Sequence, residues 1–145
     1  GFRCQPLHWL FMYSDLNIAN PRSVEDAEGE NFIPLAPTLT NTGGVSFNVG
    51  KKVSGGLRYR HVADRPANED NSIVAKGYTV LDFNVNYTIK KVMFSIEINN
   101  LLDTEWNETQ FATESRLRTE AASVEEIHFT PGTPFFVKGK MTYMF

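Results

Sequence analysis

Residues 79–98 read TVLDFNVNYTIKKVMFSIEI and contain two stretches of alternating apolar and polar side chains. In residues 81–89 every odd position is apolar and every even position is polar. In residues 92–98 the even positions are apolar, with Ser95 and Glu97 between them. A period of two indicates β-strands whose two faces meet different surroundings. Only Lys90 and Lys91 separate the two stretches, so the strands are predicted to be joined by a tight turn.

The same period of two recurs along most of the chain, which predicts an all-β protein. The predicted strands span residues 9–20, 36–50, 52–63, 77–90, 91–102 and 134–145, and Phe2–Gln5 is read as the end of one more. No segment has an apolar stripe at helical spacing. Ser115–Glu126 contains good helix formers and is expected to hold a short helical turn at most. The expected fold is an antiparallel up-and-down meander of about six to seven strands, forming a barrel segment or a small β-barrel.

The connections between these strands alternate between short and long. Short turns are predicted at Pro6–His8, Gly50–Lys52 and Lys90–Lys91. Long connections are predicted at residues 21–34, 63–76 and 103–133. In an up-and-down meander every second connection lies at the same end, so the short turns share one end and the long loops the other. Outer-membrane barrels have this asymmetry.

Charge follows the same division. Fourteen of the 17 acidic residues fall in the three long connections, and the other three, Asp15, Asp82 and Glu97, lie on the polar face of a strand. The apolar faces carry no charge, as a lipid-facing surface requires, because a charge there costs about 2–4 kcal/mol near mid-membrane. Phe47, Tyr87, Tyr143 and Phe145 are placed toward the short-turn end, where an interfacial aromatic girdle would lie.

A soluble sandwich or small barrel, with the apolar face inward, produces the same alternation. This reading stays open as the alternative: a self-standing soluble β-barrel that serves as a binding or structural module. The loop asymmetry, the uncharged apolar face and the aromatic positions favour the membrane barrel.

Composition excludes several other classes. The 145 residues suit one domain, and a net charge of -3 gives no support for nucleic-acid binding. Cys4 is the single cysteine, which rules out an internal disulfide. His8, His61 and His128 lack metal-ligand spacing, and no catalytic constellation is present, so we predict neither an enzyme nor a bound cofactor or metal. The acidic run Glu25–Glu30 could hold calcium, although a solvated loop fits its irregular spacing better.

The last sixteen residues, TPGTPFFVKGKMTYMF (130–145), resemble the carboxyl end of TonB-dependent receptors. In that family a Pro-Gly and paired aromatics open the last strand and the chain ends on an aromatic residue. Residues 98–106, INNLLDTEW, are similar to the family's Asn-Leu-Phe-Asp signature, with Leu102 in place of the common Phe. Residues 57–60, Arg65-Pro66 and residues 77–79 also match the family pattern, in the style of receptors from Bacteroides-like bacteria.

The resemblance implies that residues 1–145 are the C-terminal segment of a receptor barrel, with the plug domain and the N-terminal strands outside them. The family imports a scarce nutrient, such as an iron chelate, cobalamin or a glycan, across the bacterial outer membrane, and the segment is not expected to transport alone. Its implied partners are outer-membrane lipid and the barrel-assembly machinery. TonB would be contacted only through the missing N-terminal part. The implied assembly signal comprises Lys138, Gly139, Met141, Tyr143 and Phe145.

The charged residues on the polar faces would line the lumen of the parent barrel. They are Asp15, Arg58, Arg60, Asp82, Glu97, Lys138 and Lys140. Their mixed sign predicts cross-strand ion pairs along the wall. The ligand-binding residues are not predictable from the sequence.

Without its parent and without detergent, the chain is expected to curl with its apolar face inward and to self-associate through its sheet edges.

Overall fold

The computed structural model describes residues 1–145 and contains strands, turns and loops. No helix that could cross a membrane is present. Seven strands form the main sheet: β1 (Phe2–Leu7), β2 (Leu10–Ile18), β3 (Leu39–Val49), β4 (Val53–Val62), β7 (Tyr78–Ile89), β8 (Val92–Asn99) and β11 (Phe136–Tyr143). The sheet is antiparallel, and its strands are neighbours in the order β1-β2-β3-β4-β7-β8-β11.

The predicted meander is confirmed. All six predicted strands form within a few residues of the expected bounds, and neighbours in the sheet follow the chain order. The residues read as a strand end, Phe2–Gln5, belong to a full strand that pairs with β2. The short turns share one end of the sheet and the long connections the other, as the alternating lengths predict.

Two of the long connections contain strands that the sequence analysis did not predict. The second holds the short pair β5 (Arg65–Pro66) and β6 (Val74–Ala75). The third holds a longer hairpin of β9 (Asn107–Ser115) and β10 (Val124–Pro131). The expected helical turn over Ser115–Glu126 is wrong, because both ends of that segment pair across this hairpin, Ser115 with Val124 and Thr113 with Glu126. These cross-strand partners outweigh a modest helix propensity.

The register of the sheet separates its side chains into two faces. On the apolar face, Phe83 lies opposite Leu57 on one side and Ile98 on the other. On the polar face, Asn84 lies opposite Gly56 and Glu97. The register is unbroken from β2 to β11 and shifts only within the β1–β2 pair, so side-chain parity within each strand from β2 onward places a residue on one face or the other.

The polar face is the concave one. A groove of about 730 Å³ lies along it, lined mostly by polar-face residues such as Ser46, Ser54, Asn84 and Asn86. We call it the concave groove. The expected inward curl is therefore wrong: the apolar face is not enclosed, since Ile96 is 48% and Met141 70% accessible and Leu81, Phe83 and Ile98 are half-buried.

Side-chain size accounts for this direction of curvature. Glycine, serine and asparagine on the polar face crowd one another less when the sheet closes toward them than Phe, Leu and Ile would. The alternative of a closed small barrel is also not found, since β1 and β11 lie at opposite ends of the strand order. The sheet is an open barrel segment.

The buried core lies at the loop end. The buried alanine and valine side chains are Ala67, Ala75 and Val80. Ala67 and Ala75 belong to the second long connection, and Val80 lies near the start of β7. The seven-stranded sheet itself has no apolar layer sealed from solvent.

Gly55 allows β3, β4 and β7 to approach closely, and its substitution tests this packing. A Cβ at Gly55 would overlap the Asn84 carbonyl oxygen and lie 2.7 Å from Cζ of Phe47. Gly55→Ala is expected to lower the free energy of unfolding in detergent by about 1–3 kcal/mol, because backbone must move. The matched control is Gly139→Ala, since nothing lies within 4 Å of a Cβ there. Urea unfolding with equal losses for both variants would contradict the prediction.

Candidate functional site

The candidate site comprises the concave groove and the loops above it. All seven residues of the predicted lumen-facing row lie on the polar face by register. Two cross-strand ion pairs join members of this row. Arg58 Nη2 lies 3.4 Å from Asp82 Oδ2, and Lys138 Nζ lies 2.6 Å from Glu97 Oε2. The expected pairing along the wall is therefore found.

The remaining members of the row have other surroundings. Asp15 pairs outside the row, with Arg3 Nη2 at 3.0 Å from its Oδ2 atom. Arg60 has no ion pair and lies over the ring of Trp106, 5.3 Å from the ring centroid. Lys140 lies opposite Ser95 at the outer strand β11. The groove wall thus contains paired charges in its middle and one unpaired guanidinium near the loops.

Asn100 fixes the base of the third long connection, residues 100–135. It is 1% exposed and has a φ of 51°, a backbone conformation that asparagine tolerates better than most residues. Its Nδ2 atom donates to the carbonyl oxygens of Thr104 at 2.8 Å and Thr133 at 3.2 Å, and its Oδ1 accepts from the Thr104 amide at 2.9 Å. One side chain therefore ties the segment entering the β9–β10 hairpin to the segment leaving it.

Asp82 links this base to the groove. Its Oδ1 accepts the Asn100 backbone N–H at 3.1 Å while its Oδ2 accepts from Arg58. Asp103 makes a comparable bond on the other side, accepting the Phe135 amide at 3.1 Å. The signature-like stretch 98–106 thus serves as a hydrogen-bonded junction between the sheet and the hairpin.

Trp106 is the largest side chain at this junction. Its Nε1 donates to the Thr133 carbonyl at 3.0 Å, and its ring lies against Tyr78, 4.8 Å between centroids. A Cβ on Gly132 would overlap the indole ring, so only glycine leaves room for it. These contacts fix the indole at the loop end of the sheet.

The three long connections contact one another. Gln110 of β9 is 3% exposed and exchanges two hydrogen bonds with the backbone of Lys76, at 2.7 and 3.0 Å. Asn68 donates to Glu125 of β10 at 3.3 Å. The first connection joins the second through backbone bonds from Phe32 to Glu69 and from Leu35 to Pro66. The loops therefore form one connected layer above the sheet.

An acidic pocket of about 430 Å³ opens between the loops, lined by Asp26, Ala27, Glu30, Asn68, Glu69, Asp70 and Glu125. Hydrogen bonds from the Ser72 amide and hydroxyl lower the pKa of Asp70 below its usual value, so this carboxylate stays charged in mild acid. No group of three His, Cys, Asp or Glu side chains is close enough to hold a metal ion. Two residues of the acidic run considered for calcium, Asp26 and Glu30, line this pocket.

The predicted assembly-signal residues occupy the outer strand β11 and the chain end. Lys138, Gly139, Met141 and Tyr143 lie in β11, which pairs only with β8. Phe145 follows the strand, and its ring contacts Tyr143 edge-on at 5.2 Å between centroids. Phe47, Tyr87 and Tyr143 lie near the short-turn end, where the sequence analysis placed them.

A protein-family model described as TonB dependent receptor-like, beta-barrel matches residues 9–101. The chain belongs to this family. The resemblance noted at the C-terminal strand and the curved, antiparallel sheet agree with this assignment. The family model describes the barrel part of such receptors, and the matched residues run from β2 through β8.

Solved receptor structures share the fold. The siderophore receptor PiuA from Acinetobacter baumannii superposes with a TM-score of 0.67 at 13% identity, over 97% of this chain and 20% of that chain. BauA, the ferric preacinetobactin receptor from Acinetobacter baumannii, gives 0.67 at 14% identity, with the same coverage of 97% and 20%. The chain thus spans about a fifth of the receptors it resembles. The search of curated proteins found no significant match.

Replacing Asn100 tests the junction. Asn100→Gly keeps the positive φ accessible but removes the three side-chain hydrogen bonds. We expect a loss of about 1–3 kcal/mol in the local stability of the third connection, because the backbone groups of Thr104 and Thr133 lose buried partners. Hydrogen exchange of the β9 and β10 amides should accelerate while that of β3 and β4 stays unchanged. Asn99→Gly, at the exposed neighbouring position, is the control. Equal acceleration in both variants would contradict the assigned role.

Proposed function

We propose that this chain is the C-terminal segment of the barrel of a TonB-dependent outer-membrane importer, spanning residues 1–145, with the plug domain and N-terminal strands supplied by other parts of the receptor. The observation that carries the proposal is the arrangement of the sheet. Its convex face is apolar and exposed, its concave face is polar and grooved, and its two outer strands are open. A larger barrel supplies what each surface needs: lipid outside, a polar plug inside and strand partners at both edges.

The lumen-facing role of Asp15, Arg58, Arg60, Asp82, Glu97, Lys138 and Lys140 is part of this proposal. Their shared position on the concave face supports it. In the assembled receptor this wall would contact the plug, and the paired charges Arg58–Asp82 and Lys138–Glu97 would present little net charge to it. The energy-coupling protein TonB would act on parts of the receptor outside these residues.

The imported ligand is proposed to be a scarce nutrient, with an iron chelate first. The two structurally similar receptors are described as receptors for a siderophore and for ferric preacinetobactin. At 13% and 14% identity they show the fold alone, so cobalamin and glycans stay as further candidates. An origin in Bacteroides-like bacteria rests on the sequence style of residues 57–79.

The role of residues 138–145 as an assembly signal can be tested in the full-length receptor. Phe145→Ser should lower the amount of folded receptor in the outer membrane several-fold, because the terminal aromatic lies in the same parity as Tyr143, Met141 and Gly139. The control is Met144→Ser, which changes the residue of opposite parity. Heat-modifiability on gels of outer-membrane fractions measures the folded fraction. Equal loss in the two variants would argue against a signal read by parity.

Transport requires the complete receptor under this proposal. A strain deleted for the receptor gene should regain uptake of a radiolabelled ferric chelate with the full-length gene but not with residues 1–145 alone. Immunoblotting of membrane fractions verifies that the segment is present. Restored uptake by the segment alone would refute the proposal, because no plug gates the groove and no TonB contact is available within it.

A further inference from the structure

Arg60 lies on the concave face, two residues beyond the groove-lining Arg58 toward the long connections, and its guanidinium has no charged partner. It takes part in none of the ion pairs or side-chain hydrogen bonds of the chain, and its Nε atom is buried with no hydrogen-bond partner. Buried polar atoms are rarely left unpaired, since an unsatisfied donor loses its water without compensation. An arginine stays charged at any physiological pH, so it cannot relieve this by losing a proton.

Arg58 provides the internal comparison. It lies on the same strand and the same face, two residues away, and its guanidinium is bound by Asp82. Asp82 is also occupied by the Asn100 amide, and the nearby Asp64 accepts from the Gly77 amide. These two carboxylates therefore already have backbone partners. Arg60 is the cation of the row that is both near the loops and unpaired.

The surroundings of Arg60 hold its guanidinium in place. Trp106 lies beneath it, and the indole is itself fixed by the Thr133 carbonyl, by Tyr78 and by the close approach to Gly132. Because Nε is buried, the two terminal nitrogens of the guanidinium form the edge that can donate in-plane hydrogen bonds, and that edge matches the two oxygens of a carboxylate. Thr42, directly opposite Arg60 on β3 and on the same face, adds an exposed hydroxyl.

We propose that Arg60, supported by Trp106 and flanked by Thr42, is an anion-binding subsite at the loop end of the concave face that receives a carboxylate. The carboxylate has two possible sources: a carboxylate-bearing ligand that enters from the loop end, or an acidic side chain of the plug. This choice of source rests on the proposed receptor function. The binding chemistry itself rests only on the residues of this chain.

The test uses the 145-residue chain in detergent micelles, with citrate as the probe and chloride to keep the ionic strength constant. The chain has two tryptophans, Trp9 and Trp106, which suit a two-peak NMR readout of the indole N–H groups. Trp9 lies in the short turn after β1, at the opposite end of the sheet, and serves as the internal reference. Citrate should shift the Trp106 indole signal in a saturable manner and leave the Trp9 signal in place.

Three variants separate the contribution of Arg60 to citrate binding from that of the neighbouring Arg58. Arg60→Gln should weaken citrate binding at least about tenfold, as expected for losing a charged hydrogen-bond partner. Arg60→Lys should bind with intermediate strength, because it keeps the charge and loses the two-pronged geometry. Arg58→Gln should stay within about twofold of the unsubstituted chain, since Arg58 is already paired. If Arg60→Gln disturbs folding, seen as loss of the dispersed Trp106 signal, the comparison of Arg60→Lys with Arg58→Gln decides. The proposal would be overturned if Arg60→Lys and Arg58→Gln bound citrate equally well, or if citrate did not shift the Trp106 indole signal of the unsubstituted chain.

The same titration in the full-length receptor, labelled with fluorotryptophan, separates the two sources. If citrate binds to the full-length receptor and this binding depends on Arg60, the carboxylate comes from a ligand in solution. Binding in the 145-residue chain but not in the full-length receptor points to a plug carboxylate already in place. If the uptake experiment fails while citrate binding still depends on Arg60, the proposed importer function is refuted and the anion-binding subsite is retained.

Discussion

The unbroken register of the six antiparallel strands from β2 to β11 is the constraint on which the rest of the molecule depends. Because adjacent residues point to opposite faces, one register error would move Asp82 or Glu97 to the apolar face and Phe83 or Ile98 into the groove. The cross-strand ion pairs and the glycines under large rings help to hold this register. Phe47 lies over Gly55, and Tyr59 reaches past Gly43 to hydrogen-bond Ser14 across β3. Each of these contacts can form only when the strands are paired in this register.

Much of the sheet could be predicted from alternation alone. Residues 81–89 and 92–98 specify strand, face and partner through a strict period of two, and Lys90–Lys91 leaves no other connection. The direction of curvature could not be read this way, because alternation defines two faces without saying which is concave. The contrast between Ser46, Gly56 and Asn84 on one face and Phe47, Leu57 and Phe83 on the other is the signal that could have indicated it.

The loops were less predictable for a different reason. In residues 107–115 the polar residues Glu108, Gln110 and Glu114 share a parity with Ala112, so no apolar face marks the strand. The β9–β10 hairpin is held by contacts with the second connection, among them the Gln110–Lys76 bonds. Asn100 gave a local hint, since asparagine after a strand tolerates the left-handed backbone. Its three bonds to Thr104 and Thr133 depend on residues up to 33 positions away, which no local pattern reports.

The scarcity of buried apolar surface has a thermodynamic consequence. The fully buried apolar side chains are two alanines and one valine, in a chain of 145 residues. Heat-capacity change and denaturant sensitivity both scale with the apolar and total surface that unfolding exposes, so both are small for this chain relative to its length. A calorimetric scan of these 145 residues therefore reports chiefly on the loop end, where the buried side chains lie.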